Sequence, residues 1–132
     1  AEAMGATGAL TTRNRAARLN STVSKTSAGA SEILPVAMES NLARALRTAQ
    51  EMGFQVIGAD LDGQPPCTLD FLQPTVIVVG AEGKGLRRLT REVCDQVVTI
   101  PLTGKVESLN ASVAAGILVY EASRQRSKKT LT

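Results

Sequence analysis

Residues 76–89 read VIVVGAEGKGLRRL and hold the first chemistry the chain offers. An apolar run stops at Gly80, glycines recur at 83 and 85, and a helix-like stretch follows. A turn of this kind aims backbone N–H groups and a helix start at a ligand, as phosphate-binding loops do. Both common phosphate fingerprints nevertheless fail. GxxxxGK[ST] fails because Leu86 follows Gly85, and GxGxxG fails because the glycines fall as GxxGxG. Glu82, inside the turn, would repel an anion as well. The turn therefore suits a ligand that is neutral or cationic beside Glu82. A glycine-rich strand-to-helix turn with a solvent-exposed acid would account for the same residues.

A second stretch, TIPLTGKVESLNASVAAG over 99–116, ends a strand at Pro101 and opens a helix with Ser108, Leu109 and Asn110. Ser and Asn are both good N-cap residues, so one of them capping the helix is the simpler reading. Delivered to one sheet edge together, however, the two stretches would make a pocket at the carboxyl ends of parallel strands, where such sheets bind ligands.

The elements that would carry these turns alternate along the chain. ALTT (9–12) reads as the end of a strand and EILPVAM (32–38) as a short strand broken by Pro35. Over 41–52, Leu42, Ala45, Leu46 and Ala49 repeat at helical spacing, and Gly53 supplies the stop. FQVIGAD (54–60) and TVIVVG (75–80) read as buried strands, with a loop or weak helical turn over 61–74 between them. A short helix is expected over 86–95 with Leu86, Leu89 and Val93 inward, then a strand over 96–102 and a long helix over 108–127. Strands alternating with helices predict an α/β domain, a mainly parallel sheet flanked by helices. AEAMGATG at the start reads as the last turn of a helix closed by glycine.

Composition removes several alternatives. The chain has 132 residues, enough for one domain with a real core. Aromatics are only 2%, so Val, Ile, Leu and Ala must fill that core, as suits a parallel sheet. There is no histidine, which excludes Ser-His-Asp and Cys-His machinery and His-based metal sites. Cys67 and Cys94 stand without a CxxC pattern and are expected as buried or idle thiols. No apolar run approaches the ~20 residues needed to cross a bilayer, so a soluble protein is expected. The net charge of +3 is compatible with nucleic acid without requiring it.

The glycine turn and the SLN helix start, in this order and at this separation, resemble motifs 2 and 3 of the SpoU (TrmH-like) RNA ribose 2′-O-methyltransferases of the SPOUT superfamily. The resemblance continues through GLRRLTREVCD, YEASRQRS and SKTSAGASEILPVAMESNLARAL and spans nearly the whole chain. It implies S-adenosyl-L-methionine as cofactor, held at Gly80, Ile100, Leu102 and Leu109. It also implies polar site residues Glu82, Ser108 and Asn110 in support or positioning roles. The implied reaction is methyl transfer to a ribose hydroxyl of RNA, with a guanosine of large-subunit, 23S-type ribosomal RNA as the expected target. An RNA-binding or ribosome-assembly module that keeps the fold without catalysis is the alternative.

The same source implies a C-terminal trefoil knot, which composition alone would not suggest, and a homodimer using the long helix. It implies a bacterial cytoplasmic location, or an organelle in a eukaryote. The family's motif 1 carries an Asn and later an Arg, and the chain begins just past where that Arg should stand. The expectation is a single catalytic domain without its first strand and motif 1, without an N-terminal RNA-binding domain, and with impaired activity. Arg13, Arg15 and Arg18 are expected either at the RNA backbone or in a solvated loop. Arg124 and Arg126 in SRQRSKK are expected either on phosphates or as cations favoured at a helix C-terminus.

Overall fold

The structure, a computed structural model, describes residues 1–12, 34–80 and 85–131. Its centre is a three-stranded parallel sheet in the order β4-β3-β5, formed by β3 (Gln55–Gln64), β4 (Thr75–Val79) and β5 (Gln96–Val98). Val56 pairs with Val76 and Ile57 with Ile77 on one side, and Gly58 pairs with Val97 on the other. Three helices complete the architecture: α1 (Leu42–Glu51), α2 (Arg88–Val93) and α3 (Ala111–Leu131). A separate parallel pair, β1 (Ala9–Thr12) and β2 (Val36–Glu39), matches Ala9 with Val36. A single 3-10 turn, Glu2–Met4, precedes it and is closed by Gly5. Among the described residues no helix is long and apolar enough to cross a membrane.

Successive residues of β3 serve opposite faces of the sheet, as the pleat requires. Ile57 packs with Leu69, Phe71, Val98, Leu118 and Ala122, beneath α3. Val56 packs with Leu46, Val78 and Val93, beneath α1 and α2. Both β3 side chains are fully buried, and each stabilises the fold by roughly 1.5–3 kcal/mol through removal from water. One strand thus joins two apolar layers into an α/β/α sandwich.

Local chemistry explains the helix limits. The Asn41 side chain accepts from Arg44 N at 3.1 Å and starts α1, and Gly53 leaves it with φ 96°. Asn110 starts α3 by accepting from Ser112 N at 2.9 Å and Ser112 Oγ at 2.6 Å. That helix therefore begins at Ala111, not at Ser108. At its far end Gln125 accepts from Phe71 N and donates to Leu69 O, both at 3.0 Å. Arg126 donates to Phe71 O and Gln73 O, both at 2.9 Å. These four bonds clasp α3 to the connection between β3 and β4.

Three other expectations are corrected. β3 runs on to Gln64, where a loop was expected from residue 61; Ala59 and Gln64 both stand opposite Val98, so residues 60–63 form a bulge within the strand. β5 stops at Val98, although Thr99 N still donates to Gln64 O at 2.9 Å. In α2 the inward residues are Thr90 and Val93, while Leu89 is 60% exposed. Leu86–Leu89–Val93 and Leu86–Thr90–Val93 are both helical spacings, and the packing selects the second.

Candidate functional site

The carboxyl ends of the three parallel strands open into a cleft of about 290 Å3. β3 contributes Ala59, Asp60 and Leu61, β4 contributes Val79 and Gly80, and β5 leads into Thr99, Ile100 and Pro101. Leu102, Glu107, Ser108 and Leu109 close it from the stretch that precedes α3. The two sequence stretches singled out for their chemistry therefore do meet. A cleft at this edge follows from the topology, because parallel strands direct all their exits to one side.

Gly80 and Gly85 hold the glycine turn together by close backbone approach. A methyl group on Gly80 would run into the carbonyl oxygen of Gly85, and one on Gly85 would strike Oδ1 of Asp60. Gly85 also has φ 67°, a region that side-chain-bearing residues rarely adopt. The glycines are thus required by packing as well as by backbone conformation.

Five of the expected site residues line the cleft: Gly80, Ile100, Leu102, Ser108 and Leu109. Asn110 is not among the lining residues and caps α3 instead. Glu82 lies outside the described residues, as do Arg13, Arg15 and Arg18. Arg124 is engaged with Glu121, its Nε and Nη2 each 2.8 Å from a carboxylate oxygen, and Arg126 forms part of the clasp. Hydrogen bonding from Arg124 lowers the Glu121 pKa from 4.5 to about 2.

Two acids in the lining, Asp60 and Glu107, were not anticipated. An acid ending the buried run FQVIGAD was the signal for Asp60; nothing comparable marked Glu107 within KVESLN. Asp60 Oδ2 accepts from Arg91 Nη1 at 2.6 Å, and its Oδ1 accepts from Leu61 N at 2.7 Å. Among the described lining residues there are carboxylates and apolar side chains and no Lys or Arg; Lys84, like Glu82, lies outside the described residues. The expectation of a ligand neutral or cationic beside Glu82 rests on a residue outside the described ones. Both cysteines are free thiols. Burial pushes the Cys94 thiol up, which keeps it protonated at neutral pH and unsuited to nucleophilic attack.

The model of the SpoU rRNA Methylase family matches residues 1–120. The chain is 49% identical over 128 residues to the 23S rRNA (guanosine-2'-O-)-methyltransferase RlmB of Ralstonia nicotianae, covering 96% of this chain and 51% of that protein. It therefore spans about half the length of that relative. Among solved structures it is similar to the A. aeolicus TrmH/SpoU tRNA modifying enzyme, with TM-score 0.86 and 30% identity over 98% of this chain and 66% of that one. It is also similar to the SpoU methyltransferase AviRb from Streptomyces viridochromogenes in complex with the cofactor AdoMet. There the TM-score is 0.83 and the identity 32%, over 94% of this chain and 49% of that one.

Proposed function

The chain belongs to the SpoU rRNA methylase family, and from that premise we propose that it transfers a methyl group from S-adenosylmethionine to a ribose 2′-hydroxyl of RNA. A guanosine of 23S-type ribosomal RNA is the favoured target, by similarity to the Ralstonia enzyme. The observation that carries this reading is the cleft itself: an apolar, carboxylate-bearing pocket at the joint exit of three parallel strands, lined by Gly80 and Gly85 from one stretch and by Ser108 and Leu109 from the other.

The residues present fit the cofactor. The cleft is near the lower end of the roughly 300–1,000 Å3 usual for small-molecule sites. Ile100, Leu102 and Leu109 offer apolar enclosure for a flat heterocycle, and Gly80 lets backbone come close to a ligand. Glu107 in the lining favours a cation in the cleft. When bound, S-adenosylmethionine supplies an electrophilic methyl group on a sulfonium.

In this reading the chain's own residues orient the nucleophile and assist removal of its proton. Ser108 stands in the cleft wall with a hydroxyl able to donate and to accept. Asn110 holds the start of α3 and so keeps Ser108 and Leu109 facing the cleft, while Glu82 is assigned a supporting role on the glycine turn. Arg13, Arg15, Arg18, Arg124 and Arg126 are assigned to RNA; for the last two, this would come in addition to their bonds within the chain.

The proposal extends to the family's trefoil knot and to a homodimer. The order β4-β3-β5 and the clasp of α3 on the β3–β4 connection support the first. The second is supported by Val113, Ile117 and Tyr120, apolar or aromatic residues at helical spacing on α3 that are 49%, 38% and 59% exposed.

The test has two parts. Calorimetry should detect S-adenosylmethionine binding to the chain, and Leu109→Arg should abolish it with the melting temperature preserved. Tritium from labelled cofactor should then pass to ribosomal RNA. Equal affinity in Leu109→Arg would reject the pocket, and binding without any transfer would favour the non-catalytic alternative.

A further inference from the structure

The bulge over residues 60–63 is the one place where the sheet departs from regular pairing, and it lies against the cleft. Its two acids are tied to a single nitrogen: Arg91 Nη1 is 2.6 Å from Asp60 Oδ2 and 2.7 Å from Asp62 Oδ1. The two bonds are not equivalent. Asp62's side chain is 81% exposed, so its bond is open to screening by solvent and salt. Asp60's is only 9% exposed, and a carboxylate so covered needs a partner. Asp60 also touches the other wall, because its Oδ1 sits where a side chain on Gly85 would be. One carboxylate therefore meets the bulge through Leu61 N, α2 through Arg91 and the glycine turn at Gly85.

Resting on the cofactor reading above, we propose that Asp60 and Arg91 are positioning residues that set the separation of the bulge and Gly85, two adjoining parts of the cofactor cleft lining. The ion pair acts through geometry. Arg91 is absent from the cleft lining, and Asp60 is committed to Arg91 and Leu61 N. Loss of either partner should let the bulge and Gly85 move apart and loosen the grip on any ligand of that shape, whatever its charge.

The test measures binding of S-adenosylmethionine and of its uncharged-sulfur product S-adenosylhomocysteine to the unaltered chain and to Arg91→Met, Arg91→Lys and Asp60→Asn. Affinity should fall about tenfold for both ligands in Arg91→Met and Asp60→Asn. Arg91→Lys, which keeps the charge and one donor, should recover most of the loss. Turnover should show a raised KM for the cofactor, with kcat within about twofold. Affinities unchanged while the melting temperature falls would reduce the pair to a structural brace and overturn the proposal. A loss confined to the sulfonium ligand would also overturn it, by making Asp60 a direct charge partner. If Arg91→Met fails to fold, the two milder variants decide. Absence of binding by the unaltered chain would reject the cofactor reading, and this inference with it.

Discussion

Gly80 and Gly85 show how little freedom the turn leaves. A methyl group at Gly80 must displace the Gly85 carbonyl, and at Gly85 a side chain faces both an unfavourable φ and the Asp60 carboxylate. Gly80→Ala is therefore expected to cost roughly 1–3 kcal/mol of stability and to weaken cofactor binding, read by thermal melting and calorimetry. Glu121 gives a prediction in pH. Its folded pKa, about 2, lies below the ordinary 4.5, so the stabilisation it provides is complete above pH 4.5 and is lost as pH falls towards 2. Glu121→Gln should flatten that part of an acid melting profile and lower stability at neutral pH, where the pair with Arg124 is fully ionised, more than near pH 2. The sequence announced the cleft residues Gly80, Ser108 and Leu109 because glycine and helix-start chemistry are local. It did not announce Glu107, whose place depends on how 102–110 folds across the strand ends. The plainer reading was that one of Ser108 and Asn110 caps the helix, and Asn110 is the one that accepts from Ser112 N.

Among the elements, α3 was legible as a long helix, although expected over 108–127 and found over Ala111–Leu131, and its attachment was not legible. A basic, polar end such as SRQRS looks like a solvated terminus, yet Gln125 and Arg126 reach a connection more than fifty residues back. Spacing along a sequence holds no record of such pairings. Gln125→Ala leaves the Phe71 N–H and Leu69 C=O of two buried residues without these bonds and should destabilise the domain by about 1–3 kcal/mol in chemical denaturation. Phe71→Ala, which empties a fully buried site beneath α3, should cost about 3–5 kcal/mol. The error in α2 has a similar cause. Leucine outranks threonine in hydrophobicity, but the six-residue helix is oriented by Val93 and by the partly buried Leu86 packed on the same layer, which leaves Thr90 inside and Leu89 outside. β3 was cut short in the sequence reading because Asp-Gly before two prolines signals a turn, whereas the strand bulges there and resumes opposite Val98.

For the whole molecule, class and layer order were legible, since alternating apolar runs and amphipathic segments leave few arrangements for one domain. Association was not. The exposed Val113, Ile117 and Tyr120 stripe is only an apolar patch until a second copy is considered. If two copies pair along it, Ile117→Glu should convert a dimer to a monomer in sedimentation velocity without loss of helical content.

All the strand pairings described are parallel, so none can close from a tight turn between its own two strands. During synthesis the central sheet lacks a strand until residue 98 has been made, and the clasp waits for residue 126. The nascent domain is thus left unfinished, with its apolar layers uncovered, for most of its translation. Chaperone demand and proteolytic risk should be concentrated in that interval, and changes that loosen the final helix should lower cellular yield more than they lower equilibrium stability.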